Sequence, residues 1–287
     1  MAQMIFTPGQ YTAPKAKPLP IILMLDTSGS MDIVTNPEAV RHTGRYGVED
    51  GNNVEYVEGG ITRIDVLNES VRKMLRTLAK YERDATEFLV AIITFGADTR
   101  LVLPPSPAGD VRFVDLEANG NTPLDKALGI AKTLIEDKSQ IPSRSYRPLI
   151  VLVSDGAPDD GWQAPFQDFI RNGRTSKCDR MALAISGEAD RTMLGQFVEG
   201  TGHSVFEADT AEKIMDFFKF VTMSSVQRTL SQNPNEVPKD GDVKTPPPPR
   251  ASAAPAPAKP AAPANPPMPD NAPAQPETDD DDEDGYW

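Results

Sequence analysis

The sequence has a single cysteine, Cys178, in 287 residues. That excludes an internal disulfide framework and fits a reducing, cytoplasmic compartment. Histidine is nearly as scarce, with only His42 and His203, which leaves little room for imidazole-based metal centres or acid–base pairs. His203, in Thr201-Gly202-His203-Ser204, reads as a strand-edge residue, and Cys178, ahead of an apolar run, as a small packed side chain. No apolar run approaches the ~18 residues of a membrane span, and the opening MAQMIFTPGQYTAPKAKPLP lacks the apolar segment of a secretion signal. Neither G-x-x-x-x-G-K-[ST] nor G-x-S-x-G occurs, so the usual nucleotide loop and hydrolase elbow are missing. Basic residues are outnumbered, 29 against 42 acids for a net charge of −13. Nucleic-acid binding through a basic stripe is not expected.

What is abundant is proline, and its placement divides the chain. Residues 232–287 hold 15 of the 28 prolines and 11 acids against 4 bases. With almost no large apolar side chains they cannot offset the entropy of ordering, and they read as a disordered tail ending in an acidic run. A Pro-rich lead occupies 1–18. Between them, 19–231 is long enough for one well-packed domain.

Within that domain, Ile21–Leu25, Phe88–Phe95, Leu149–Val153 and Met181–Ile185 are apolar runs of the kind found in strands buried on both faces. Helical spacing recurs between them. Ile64, Leu67, Val71, Met74, Leu75 and Leu78 follow a Thr62-x-x-Asp65 capping box, and Leu124, Leu128, Ala131, Leu134 and Ile135 follow Thr122-Pro123, with the proline expected at the first helical position. Shorter helices are expected over 163–171 and 190–199, and a terminal one from Ala211 to about Leu230. Alternating strands and helices predict an α/β fold with a doubly wound, mostly parallel sheet flanked by helices. Residues 32–60 interrupt the rhythm as an insertion. Tyr46-Gly47-Val48 and Val54-Glu55-Tyr56-Val57 flank Asp50-Gly51-Asn52-Asn53, a candidate hairpin.

Three loops at expected strand ends carry oxygen donors. Asp26-Thr27-Ser28-Gly29-Ser30 follows the first strand, Asn121-Thr122-Pro123-Leu124 opens the second long helix, and Ser154-Asp155-Gly156 closes the run 149–153. Each has an ordinary explanation alone, as a turn or an N-cap. Together, at the carboxyl ends of strands where open α/β folds meet their ligands, they point to one site. Hydroxyls with few carboxylates suit Mg²⁺, with Mn²⁺ or Ca²⁺ as alternatives.

The set D-T-S-G-S, N-T-P-L and S-D-G-x-P resembles the metal-ion-dependent adhesion site (MIDAS) of von Willebrand factor A (VWA) domains. Within these the chain looks most like the bacterial TerY/YegL-type proteins associated with tellurium resistance and with stress or phage-defence operons. The resemblance, over about 19–231, implies a non-enzymatic protein-binding domain. It assigns Ser28, Ser30 and Thr122 to the metal, with Asp26 and Asp155 acting directly or through water. A partner protein would supply an Asp or Glu to the open position, and an operon-encoded kinase or PP2C-type phosphatase is the partner expected by analogy. Arg41, His42, Arg45 and Tyr46 of the insertion are candidate partner contacts. Tyr286 and Trp287 are candidate aromatic anchors of a docking tail, whose acids are alternatively ligands of the chain's own metal. The rival readings are a haloacid-dehalogenase-like phosphatase with Asp26 as nucleophile, against which Ser28 stands where the general acid belongs, and a metal-independent scaffold.

Overall fold

Along Lys17–Thr27 (β1) successive side chains point to opposite faces and both faces are buried. Leu19, Ile21, Leu23 and Leu25 enter one apolar layer, Ile22 and Met24 the other. Each such side chain contributes roughly 1.5–3 kcal/mol on burial, which is why the strand, after its half-buried first residue Lys17, carries no polar residue before Asp26. The computed structural model describes residues 16–49, 52–82, 86–235 and 238. The expectations for the acidic run, Tyr286 and Trp287 lie outside the described residues, as does most of the Pro-rich lead.

After β1 come a hairpin of Arg41–Glu49 (β2) and Asn52–Glu58 (β3), then helix Arg63–Tyr81 (α1), strands Thr86–Gly96 (β4) and Arg100–Pro107 (β5), and helix Leu124–Glu136 (α2). Strand Leu149–Ser154 (β6), helix Gln163–Arg171 (α3), strand Asp179–Ile185 (β7), helix Arg191–Val198 (α4), strand Val205–Ala208 (β8) and helix Ala211–Leu230 (α5) complete the order. Six strands form one sheet in the order β5-β4-β1-β6-β7-β8. All neighbours pair in parallel except β4 with β5. Helices α1 and α5 cover one face, and α2, α3 and α4 the other. This is the doubly wound, mostly parallel α/β arrangement expected.

Two strands were not expected, and both lie at sheet edges. β5 contains Pro104, Pro105 and Pro107, and the missing N–H groups are tolerated because β5 pairs with β4 alone. β8 is only four residues long and pairs with β7 alone. β1 begins inside the Pro-rich lead: Pro18 and Pro20 pair with β4, while pairing to β6 starts only at Ile21. The Pro18 carbonyl, on the β6 side, accepts from the Tyr146 N–H at 2.9 Å. The absent N–H groups therefore face a stretch that β6 has not yet reached. α2 starts one residue later than expected, at Leu124 with Pro123 as its N-cap. The Thr62–Asp65 capping box of α1 is present in both directions. No helix among the described residues is long and apolar enough to cross a membrane.

Candidate metal centre

The site arises where β1 and β6 lie side by side and their following chains diverge. Pairing runs to Leu25 opposite Val153, which sets Asp26 beside Ser154. Ser154 Oγ donates to Asp26 Oδ2 at 2.7 Å, and the Ser28 N–H donates to Asp26 Oδ1 at 2.9 Å. Both carboxylate oxygens are thus occupied, and Asp26 is wholly buried (0% exposed). Burial, reinforced by the neighbouring Asp155 carboxylate, pushes the Asp26 carboxyl up to about 7 despite the donors from Ser28 and Ser154.

From Asp26 a polar chain runs outward. Ser28 Oγ lies 3.1 Å from Ser30 Oγ, and Ser30 Oγ donates to Asp155 Oδ1 at 2.7 Å. Asp155 is itself fully buried. Its other oxygen accepts from Arg63 Nη1 at 2.7 Å, from the first residue of α1.

Thr122 arrives by a different route. The segment before α2 is laid across the ends of β1 and β4: Asn119 N–H donates to Thr27 O at 2.8 Å, Ala97 N–H to Asn119 O at 2.7 Å, and Gly29 N–H to Gly120 O at 2.8 Å. Gly120 has φ +82°, and a Cβ there would stand 2.5 Å from the Ala97 backbone, so only glycine fits. Thr122 follows, mostly buried, and its backbone is clamped to Asp159 by hydrogen bonds of 3.3 and 3.0 Å. With Pro123 as the cap residue of α2, the Thr122 side chain is not spent on a helix cap.

Ser30, Thr122 and Asp155 line a cleft of about 600 Å³ with Asn121, Asp159 and Glu188. Asp26 and Ser28 form the layer beneath. The structure therefore brings all five candidate residues to one place, three lining the cleft and two under it. Three hydroxyls and two carboxylates, without nitrogen or sulfur, suit a hard divalent cation. Adjacent ligands of an octahedral ion with bonds of 2.0–2.1 Å stand roughly 3 Å apart, close to the 3.1 Å between the Ser28 and Ser30 hydroxyls. No group of three or more His, Cys, Asp or Glu placed to hold a metal ion occurs among the described residues, so the hydroxyls of Ser28, Ser30 and Thr122 would be needed to complete the donor set.

The insertion forms a separate two-stranded sheet, as expected, with Asp50 and Gly51 outside the described residues. Arg41 pairs with Glu58, His42 Nδ1 lies 3.0 Å from Glu55, and Arg45 lies over the Tyr56 ring at 5.9 Å. Tyr46 is 73% exposed. None of these four lines the cleft of Ser30 and Thr122. Instead β3 lines a neighbouring cleft of about 520 Å³ with Gly29, Asp32 and Thr62. His203 is buried against Asp179, 3.4 Å away, just ahead of β8. Asp179 opens β7, so the pair sits at the end of the sheet opposite the cleft. Cys178 is buried, its thiol pushed up to about 12 by that burial, as befits a packed side chain.

Two contributors were missed from sequence. Ser154 had a signal, its place beside Asp155 at a strand end. Arg63 had only a negative one, a cation in the first turn of a helix, where the macrodipole disfavours it.

No protein-family model matches the sequence, and no curated protein matches it. Solved structures do. Proximal thread matrix protein 1 from the mussel byssus superposes with a TM-score of 0.50 at 12% identity, over 73% of this chain and 48% of that one. A second structure of it, with a zinc-occupied MIDAS motif, matches with a TM-score of 0.50 at 13% identity over the same shares, 73% and 48%. The fold is VWA-like. A von Willebrand factor type A structure from Catenulispora acidiphila matches at 15% identity and a TM-score of 0.47, over 74% of this chain and 43% of that one. The chain thus spans about half the length of these three solved structures.

Proposed function

We propose that this VWA-like domain is a divalent-metal-dependent protein-binding adaptor, not an enzyme. The observation that carries the reading is the unbroken polar chain Asp26–Ser28–Ser30–Asp155 opening into the cleft beside Thr122. Ser28, Ser30 and Thr122 hold the ion, with Asp155 and the deeper Asp26 contributing charge directly or through water. The ion is Mg²⁺, with Mn²⁺ or Ca²⁺ as alternatives; the zinc-occupied motif of the mussel protein supports a divalent ion in this fold. Bound there, the ion supplies a Lewis-acidic position for one Asp or Glu of a partner protein.

A phosphatase using Asp26 as nucleophile would need that carboxylate open to substrate, and it is wholly buried with both oxygens engaged. The resemblance to TerY/YegL-type proteins extends the proposal to a cytoplasmic stress-response, tellurium-resistance or phage-defence system. An operon-encoded kinase or PP2C-type phosphatase would then be the partner, and neither nucleic acid nor membrane would be bound.

Mg²⁺ titration by calorimetry, followed by partner recovery with and without EDTA, tests this. Wild-type chain should bind Mg²⁺ and lose its partner in EDTA. Undiminished recovery by a folded Asp26→Ala/Asp155→Ala variant would overturn it.

A further inference from the structure

Arg63 is the first residue of α1, where a cation works against its own helix. The acid that would ordinarily offset it, Asp65, is committed to the capping box with Thr62. Arg63 is nevertheless held firmly. Its backbone N–H donates to Ile33 O at 3.0 Å, and its side chain, only 12% exposed, runs inward to Asp155 Oδ2 at 2.7 Å and Ser30 O at 3.4 Å. A partly buried guanidinium thus shares a carboxylate with the residues assigned above to the ion. Neither helix propensity nor core packing requires it there, and local rules tend to be broken at functional positions.

The inference rests on the metal-binding reading. We propose that Arg63 is a built-in counter-charge that weakens divalent-cation binding at this site and, by offsetting Asp155, leaves a bound ion more of its charge for an anionic partner ligand. Asp26 and Asp155 alone would neutralise one dication, and Asp159 and Glu188 on the same cleft add further negative charge. The Arg63 charge beside Asp155 cancels one of these, so the ion keeps more of its own for a partner carboxylate. The same charge repels the incoming ion, since a guanidinium and a dication a few ångströms apart in a partly buried site interact strongly. Metal affinity is given up so that occupancy rises when an acidic ligand arrives. By linkage, ion and ligand then strengthen each other.

The test is calorimetric titration of Mg²⁺, and separately Mn²⁺, into the full chain, its Arg63→Gln variant and its Arg63→Lys variant, without partner. Arg63→Gln should bind both ions at least roughly tenfold more tightly. Arg63→Lys, which keeps the charge, should stay within about threefold of wild type. Equal or weaker binding by a folded Arg63→Gln overturns the inference, as does tightening of Arg63→Lys to match Arg63→Gln. No binding by either the wild-type chain or a folded Arg63→Gln overturns instead the metal reading on which the inference stands. Should Arg63→Gln fail to fold, the unaltered protein still decides: the Arg63 guanidinium ¹⁵N resonance must shift on saturation with Mg²⁺, and a resonance that stays in place overturns the inference.

Discussion

Ser154 Oγ donates to Asp26 Oδ2 at 2.7 Å, joining the carboxyl ends of β1 and β6 beneath the cleft. Ser154 is 1% exposed and Asp26 0%, so no water replaces the donor if it is lost. Ser154→Ala should leave a buried acceptor short of a partner, at a cost of roughly 1–3 kcal/mol. For a domain of this size that is a Tm lower by several degrees, at roughly 2–4 °C per kcal/mol. Melting in EDTA checks it, and an unchanged Tm would show that this hydrogen bond contributes nothing to the fold.

The same buried carboxylate predicts a pH dependence with an unusual sign. In the unfolded chain Asp26 titrates near its ordinary 3.8, whereas in the folded protein it holds its proton up to about 7. Between those values the folded state binds more protons than the unfolded one, so stability falls as pH rises and levels off above about 7. Exposed acids such as Asp137 and Asp168, whose carboxyls are held below their ordinary values, act in the opposite direction, so the comparison must be internal. In EDTA, wild type minus Asp26→Asn should show a Tm difference that turns against wild type from pH 5 to pH 7.5. A difference independent of pH would contradict the assignment.

Gly120 offers a test of how Thr122 is seated. An alanine there would adopt φ +82° with its Cβ 2.5 Å from the Ala97 backbone. The left-handed conformation alone disfavours it by roughly 1–2 kcal/mol, and the clash must move the segment that crosses β1 and β4. Gly120→Ala should lower Tm by several degrees and weaken Mg²⁺ binding more than Gly129→Ala, a helical position with nothing within 4 Å of an added Cβ. Equal Mg²⁺ affinities in the two variants would show that Thr122 does not depend on that crossing.

The three donor loops were legible because each follows an element with a strong pattern. Apolar runs end sharply at Asp26 and Ser154, and a helical period begins after Thr122, so the chemistry could be placed at strand ends before any contact was known. The depth of the residues was not legible. Whether Asp26 faces the cleft or lies under it depends on the register of β1 against β6, which no local pattern encodes. Edge strands β5 and β8 escaped because three prolines in one and the brevity of the other remove the strand signal. Arg63 escaped because its partner, Asp155, is 92 residues away in sequence.

The insertion yields the last prediction, that partner recognition and fold are separable there. Among the described residues, none of 41–58 belongs to either apolar core. The stem closes below the hairpin without it: Val34 bridges Thr62, the Thr35 N–H donates to Ile61 O at 2.7 Å, and the Ile61 N–H donates to Asn36 Oδ1 at 2.7 Å. Above the stem, Tyr46, Val48 and Tyr56 are 73%, 64% and 44% exposed. Tyr46 and Val48 share one face of the hairpin, while Tyr56, paired with Arg45, stands on the other; exposed large apolar side chains sharing a face are characteristic of contact surfaces. Arg41 and His42, already paired with Glu58 and Glu55, would hold the hairpin's shape and leave Tyr46 and Val48 to make the contact. Replacing 37–58 with a short Gly/Ser bridge, keeping Asn36, should change Tm by no more than about 2–4 °C, the equivalent of roughly 1 kcal/mol. Mg²⁺ affinity should be unaffected and partner binding lost, with Tyr46→Ala/Val48→Ala reproducing the loss. Full partner affinity in the shortened chain would assign recognition to the rim of Asn121, Asp159 and Glu188 instead.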